Sequence, residues 1–319
     1  MRILFITATR IGDAVLSTGL LDHLIRQHPE ARVTVACGPD AAPLFAEMPN
    51  LDRLIPMPKE RWSMHWVRLW WACVNIHWDL VVDLRKSVVA YILSSTNRYT
   101  LANSKEPVHR VRLIADVMGL PETPMPHIWI KDERRVEAAG LLPNRRPVLA
   151  VGPTTNWVAK TWRAENFVAL IERLTGPSGI LPGAQVAVFG APHERHQAQP
   201  VIDALPADQV IDLVGKIDLL TVYACLERCA FYVGNDSALM HLAAASGIPT
   251  LGLFGPSSEV FYAPWGWYAA VARTQESFDT IFPKDFDHRS SGTLMDSLTV
   301  DAAEGEARRL WARATARAA

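Results

Sequence analysis

Apolar positions along this chain fall into two alternating patterns. Short runs rich in Val, Ile, Leu and Phe read as buried strands, and the stretches between them carry apolar residues at helical spacing. In the first part, strands are predicted at 2–7, 32–36 and 80–83, and helices at 13–27, 62–76 and 107–118. A Pro-rich stretch follows, with Pro121, Pro124 and Pro126 and then Pro143 and Pro147, and it marks a join. Beyond it, strands at 148–151, 185–189, 231–233 and 250–254 alternate with helices at 164–174, 193–204, 218–227 and 237–246. Two successive β/α series predict two Rossmann-like doubly wound domains, 1–143 and 144–319, with ligand sites beyond the C-terminal strand ends. Residues 271–296 have weak periodicity and are expected to be irregular, and the Ala/Arg-rich helix 301–319 has the composition to pack back on the N-terminal domain.

A net charge of −1 and the lack of a Lys/Arg run argue against nucleic acid as a partner. None of the 18 glycines is two residues from another, so the dinucleotide fingerprint Gly-x-Gly-x-x-Gly does not occur, nor does a Walker-type phosphate loop. The four cysteines, at 37, 73, 225 and 229, form no Cys-x-x-Cys pair. Cys225 and Cys229 lie one helical turn apart, which reads as two core thiols before it reads as half a metal site. The tripeptide Asp285-Phe286-Asp287, followed by His288, matches the Asp-x-Asp of metal-dependent glycosyltransferases but falls outside the β/α framework. The expectation is therefore no metal and no cofactor. The N-terminus MRILFITATR reads as a strand, not a signal peptide, and no apolar stretch is long enough to span a bilayer; both point to a soluble, cytoplasmic protein.

Chemistry concentrates where predicted strands end. Gly234-Asn235-Asp236-Ser237-Ala238-Leu239-Met240-His241 leads from a strand into a helix whose first turn suits an anion, because its leading N–H groups have no partner within the helix. Gly152 to Trp162 is a small-polar loop holding Thr154, Thr155 and a single lysine, Lys160. Gly190-Ala191-Pro192-His193-Glu194 places an acid at another strand end, where it can accept from a ribose diol or stabilise a helix start. Asp13, in Ile11-Gly12-Asp13, sits at the mouth of the first sheet as either a helix-start acid or a general base. Trp62, Trp66 and Trp70 are spaced by four among Arg61, His65 and Arg68. That stripe fits an aromatic core face first. Its other reading is a surface that docks on the inner face of the cytoplasmic membrane or grips an acidic glycolipid.

The segment from Asp236 through Ala243-Ala244-Ala245-Ser246-Gly247-Ile248-Pro249, and then Leu253-Phe254-Gly255-Pro256, resembles the C-terminal signature of the family-9 glycosyltransferases. These are the heptosyltransferases that build the inner core of lipopolysaccharide. Ile-Gly-Asp after the first strand and a Lys shortly before a Trp resemble the family's other signatures. The resemblance implies a glycosyltransferase B fold, two domains facing a crevice, with the acceptor on the first domain and the nucleotide sugar on the second. It implies an inverting, metal-independent transfer, with ADP-heptose as the first choice of donor and a glycan or glycolipid acceptor. Asp13 would be the base; Lys160, with Thr154 and Thr155, would contact the donor phosphates; Glu194 would hold the ribose. Asp236, Ser237, the Ala238 amide and His241 would complete the donor site, His241 being also readable as an interior residue. Arg61, Arg85, Lys86 and Arg110 are looser candidates for an anionic acceptor. The family usually has Gly where this chain has Ala238, and often Trp-Pro where it has Trp162-Arg163. The alternatives are another nucleotide sugar as donor, a sugar-nucleotide epimerase, or a binding protein.

Overall fold

Five parallel strands form the first sheet: β1 (Arg2–Ile6), β2 (Arg32–Cys37), β3 (Leu51–Pro56), β4 (Trp78–Asp83) and β5 (Ser95–Thr100), in the order β3-β2-β1-β4-β5. Ile3, Leu4, Phe5 and Ile6 of the central strand are all fully buried, as a strand covered on both faces requires. The chain builds outward from β1 to β3, then returns to the other side of β1 for β4. Right-handed crossovers in opposite lateral directions send the connections after β1 and β4 to opposite faces, so the sheet has a switch point between those strands. The helices of this unit are α1 (Ile11–Gln27), α2 (Met64–Cys73), α3 (Val89–Ile92) and α4 (Arg110–Asp116).

The second sheet has six parallel strands: β6 (Val148–Gly152), β7 (Gln185–Val188), β8 (Val210–Asp212), β9 (Phe231–Asn235), β10 (Thr250–Phe254) and β11 (Ala269–Arg273), in the order β11-β10-β9-β6-β7-β8. Its switch point lies between β6 and β9. Its helices are α5 (Asp132–Leu141), α6 (Ala164–Thr175), α7 (Arg195–Ala204), α8 (Leu219–Leu226), α9 (Ala238–Ala245), α10 (Glu259–Tyr262) and α11 (Val300–Ala318). The molecule is seen as a computed structural model that describes residues 1–102, 106–143, 145–283, 286–287 and 292–318. Two parallel-sheet α/β domains are thus present as expected, and contacts group them as Met1–Lys131 and Asp132–Ala319.

The division falls inside the proline-rich region, twelve residues before the expected boundary, for a physical reason. Residues 121–131 are held on the first unit: the His127 N–H donates to Thr18 Oγ1 (3.0 Å), the Trp129 indole to Asp22 (3.2 Å) and the Lys131 N–H to Glu47 (2.6 Å). By contrast, α5 packs on α8, with Arg134 paired to Asp218 and Arg135 to Glu227. The final helix, α11, belongs to the second unit. Its buried stripe of Ala303, Ala307, Leu310 and Ala314 covers α6, β10 and β11 of the second unit, and Trp311 meets Phe231 edge-on at 6.3 Å. Residues 269–273, expected to be irregular in part, form β11.

The tryptophan stripe divides. Trp66 and Trp70 pack on a core that includes Leu69, Cys73 and Trp78. Trp62, 82% exposed, and Trp71, 67% exposed, face solvent. Trp62 and Ser63 both take the left-handed conformation (φ 59°), so the helix starts at Met64 rather than at 62. Burial pushes the thiol of Cys225 up to about 12, while the Cys229 thiol donates to the Cys225 carbonyl at 3.2 Å. Both thiols are parts of the core.

Gly19 shows how tightly the proline-rich segment seats on α1. A Cβ there would lie 2.6 Å from the carbonyl oxygens of both Pro124 and Met125. Ala normally strengthens a helix over Gly by about 1 kcal/mol. Here the clash is with backbone, so Gly19→Ala is expected to destabilise the protein by about 2 kcal/mol in urea unfolding. A neutral or stabilising result would show that residues 124–125 are not seated on α1 in solution.

Candidate functional site

At the first switch point the C-terminal ends of β1 and β4 open onto a cavity of about 170 Å³. It is lined by Thr7 and Thr9 after β1, Asp13 and Ser17 on α1, Arg85 after β4, and Arg110 on α4. Asp13 stands in the first turn of α1, where the helix dipole favours a carboxylate. One turn on, the Ser17 hydroxyl donates to the Ala14 carbonyl (2.7 Å) and meets Thr7 Oγ1 (2.7 Å), tying α1 to the end of β1.

Arg85 is aimed by a buried carboxylate that sequence reasoning missed. Asp83 ends β4 and accepts from the Arg85 N–H (2.7 Å), the Ser87 N–H (2.6 Å) and the Ser87 hydroxyl (2.7 Å). This tight loop puts Lys86 in the left-handed region (φ 56°). The Arg85 guanidinium lies 5.4 Å from the centre of the Trp66 ring, and its Nη1 is buried with no hydrogen-bond partner among the described residues. The signal available in sequence was an acid closing an apolar strand just before a polar turn, a local hydrogen-bonding pattern of Asp. Of the four acceptor candidates, Arg85 and Arg110 line the cavity; Arg61 and Lys86 do not. Arg61 instead lies over the exposed Trp62 ring at 5.3 Å.

At the second switch point, the loop after β6 and the loop after β9 are locked together by Asn235. Its buried side chain donates to the Pro153 carbonyl (2.8 Å) and accepts from the Trp162 N–H (3.1 Å). Trp162 is buried, donates its indole N–H to the Leu298 carbonyl (2.9 Å) and meets Phe167 edge-on. Arg163, standing where the family often has Pro, forms a two-point pair with Asp296 (2.5 and 2.7 Å).

The expected donor residues gather around this lock. The Lys160 ammonium donates to Asp236 Oδ2 (2.9 Å) and to the Asp236 carbonyl (3.0 Å). Ser237 is the residue before α9; its hydroxyl does not cap the helix and is buried without a partner among the described residues. Ala238 is the first residue of α9, and His241 is buried one turn further in. Thr154 is buried and donates to Glu194 Oε2 (2.7 Å), which also accepts the Ala191 N–H (3.2 Å). Thr155 is buried as well, and Gln197, not expected from sequence, clamps its backbone: the Thr155 N–H donates to Gln197 Oε1 (3.0 Å) and Gln197 Nε2 to the Thr155 carbonyl (2.9 Å). Asp285 and His288 of the Asp-x-Asp candidate lie outside the described residues.

The Lys160–Asp236 pair has both side chains largely out of water, at 17% and 9% exposure. Removing one partner leaves a poorly solvated charge, which costs about 3 kcal/mol where burial is deep. Lys160→Met is expected to lower stability by about 2 kcal/mol, and Lys160→Met with Asp236→Asn to recover most of that loss in chemical denaturation. Full additivity of the two losses would show that the pair does not form.

Residues 82–282 match the family model for glycosyltransferase family 9 (heptosyltransferase). The chain is 26% identical over 316 residues to lipooligosaccharide heptosyltransferase 2 of Haemophilus influenzae, covering 86% of this chain and 89% of that protein. It is also 26% identical over 311 residues to lipopolysaccharide heptosyltransferase 2 of Escherichia coli, covering 86% and 88%. Among solved structures, it superposes on a family 9 glycosyl transferase from Veillonella parvula with a TM-score of 0.78, 22% identity and coverage of 98% and 97%. For the E. coli ADP-heptose LPS heptosyltransferase II, the TM-score is 0.77, with 23% identity and coverage of 99% and 100%. With a family match across most of its length and two parallel-sheet domains of the glycosyltransferase B type, this chain belongs to glycosyltransferase family 9 and is a glycosyltransferase.

Proposed function

We propose that the protein transfers a heptose from ADP-heptose to a lipopolysaccharide core acceptor, in one inverting displacement that needs no metal. The observation that carries this reading is the pairing of a lysine ammonium with an uncapped helix start at the second switch point. Lys160 has three N–H donors and spends two on Asp236, so the third is available to a phosphate oxygen. The first N–H groups of α9 and the Ser237 hydroxyl add neutral donors beside it. Together they offset the charge that develops on the leaving diphosphate, the work a divalent cation does in metal-dependent transferases. Glu194, with Oε2 committed to Thr154 and Ala191, offers Oε1 to the ribose diol. The names of the relatives, lipopolysaccharide and lipooligosaccharide heptosyltransferases, support the sugar and the acceptor class.

In the first domain, Asp13 takes the proton of the acceptor hydroxyl as its oxygen attacks the anomeric carbon, the bond to the diphosphate breaks, and ADP leaves. Arg85 and Arg110, in the same cavity, orient an anionic acceptor. Asp13→Asn is expected to fold and bind ADP as the parent does, and to lose about 10²–10⁴ of the transfer rate. Retained turnover would remove Asp13 as the base.

A membrane contact is part of this proposal. Trp62, Val67 and Trp71 of the α2 region and Val88, Tyr91 and Ile92 of the α3 region are exposed, and α2 and α3 pack on each other. Residues 57–98 hold six Lys or Arg against three Asp or Glu, in a chain whose net charge is −1. Exposed aromatic and aliphatic groups beside cations suit an anionic bilayer surface. None of the described helices is long and apolar enough to cross a membrane. The wild-type protein is expected to sediment with vesicles containing phosphatidylglycerol, and Trp62→Ala with Trp71→Ala to stay in the supernatant. Equal sedimentation of both would contradict this contact.

A further inference from the structure

Tyr232 is a buried residue of β9 that no part of the proposed chemistry uses. Along β9, Phe231 and Val233 enter the core of the second domain. Alternation therefore turns Tyr232 and Gly234 to the other face. In the ladder with β6, Tyr232 stands opposite Ala150, and Gly234 opposite Gly152. A Cβ on Gly152 would come 2.1 Å from the tyrosine oxygen, and one on Gly234 2.3 Å. The phenol thus lies along the strands over two glycines. Its hydroxyl reaches the C-terminal edge of the sheet, at the level where the loops after β6 and β9 begin. No other residue type at 152 and 234 would leave room for it.

Tyr232 is fully buried, and its hydroxyl neighbours that of Ser237 without completing a well-formed hydrogen bond among the described residues. The hydroxyl of Ser237 is in the same condition. Burial holds the phenol well above its ordinary pKa, so it stays neutral; a side-chain interaction with the Ser237 hydroxyl opposes that rise, and the carboxylates of Asp236 and Glu194 add to it. Those are three of the residues placed around the donor. A buried hydroxyl without a partner is costly, and phenylalanine would fill the same volume without that cost. Such a group in a well-packed sheet calls for an explanation.

We propose that Tyr232 is a positioning residue for the donor diphosphate, acting through Ser237. The inference rests on the donor site proposed above. When the Ser237 hydroxyl gives its single proton to a phosphate oxygen, its lone pairs accept the proton of the Tyr232 hydroxyl from below. The chain Tyr232–Ser237–phosphate then satisfies both buried hydroxyls, and each bond polarises the next. In the empty site nothing among the described residues fixes the rotation of the Ser237 hydroxyl, so its bond to Tyr232 is incompletely formed; a phosphate that takes the Ser237 proton sets that geometry, and the completed chain is recovered as affinity for a nucleoside diphosphate.

The test uses the full chain with ADP as the probe, in calorimetric titration and thermal unfolding. Tyr232→Phe is expected to melt at or above the wild-type temperature without ligand, yet to bind ADP about 5- to 20-fold more weakly. In turnover with ADP-heptose, the donor KM should rise while the acceptor KM is unchanged. Ser237→Ala should weaken ADP to a similar extent, and the double variant no more than either single one, because both act through one chain of bonds. A purely structural tyrosine would instead lower the melting temperature, with an affinity loss additive to that of Ser237→Ala. That result, or wild-type affinity in Tyr232→Phe, would overturn the role of Tyr232 while leaving the donor site standing. A wild-type protein that binds no ADP would overturn both together.

Discussion

The constraint on which the molecule depends is the reversal of strand order beside the first strand of each sheet. Once β2 and β3 have been added on one side of β1, and β7 and β8 on one side of β6, the next strand enters on the other side. Crossovers of one hand then carry the flanking connections to opposite faces, and the C-terminal ends of two adjacent strands are left uncovered. The residues proposed to act on donor and acceptor stand at those two places. Asp13, Arg85 and Arg110 surround one, and Lys160, Glu194, Asp236 and Ser237 surround the other. The parallel sheets place the sites, and the loops at the strand ends shape them.

What the sequence adds is rigidity at the uncovered ends, through buried polar side chains that spend their hydrogen bonds on backbone. Asp83 gathers two N–H groups and a hydroxyl to shape the turn that carries Arg85. Asn235 bridges the two loops of the second site, and Gln197 clamps Thr155. A loop held at both an N–H and a carbonyl has few alternative conformations, so the charged groups on it are placed before a ligand arrives, and binding spends less on ordering them. Leaving Tyr232 and Ser237 unsatisfied departs from this pattern, which is why they draw attention.

Much of this was legible in the sequence, and the failures share a cause. The central strands were found because burial on both faces demands unbroken apolar runs. The four strands that went unseen, β3, β5, β8 and β11, are the four edges of the two sheets. An edge strand is covered less, so sequences such as Ser95-Thr-Asn-Arg-Tyr-Thr carry no apolar period to detect. α5 was missed because it is strongly polar and buries only Ala138. At the sites, the candidates next to strand ends stand where topology alone puts them. Arg61 and Lys86 do not line the cavity, because their direction is set by the left-handed turn at Trp62 and by the hydrogen bonds of Asp83, neither of which composition reveals. Tyr232 was invisible for a related reason: as sequence it is one more residue in an apolar strand, and only the two glycines beneath its ring give it a direction.

The central claim is that the second switch point holds an adenosine diphosphate sugar through protein donors alone. It is tested most directly by thermal unfolding of the wild-type protein with ADP, UDP and GDP, each in excess EDTA. ADP is expected to raise the melting temperature in EDTA, and UDP and GDP to do so far less. Stabilisation by UDP or GDP instead of ADP, or by ADP only when a divalent cation is restored, would contradict it.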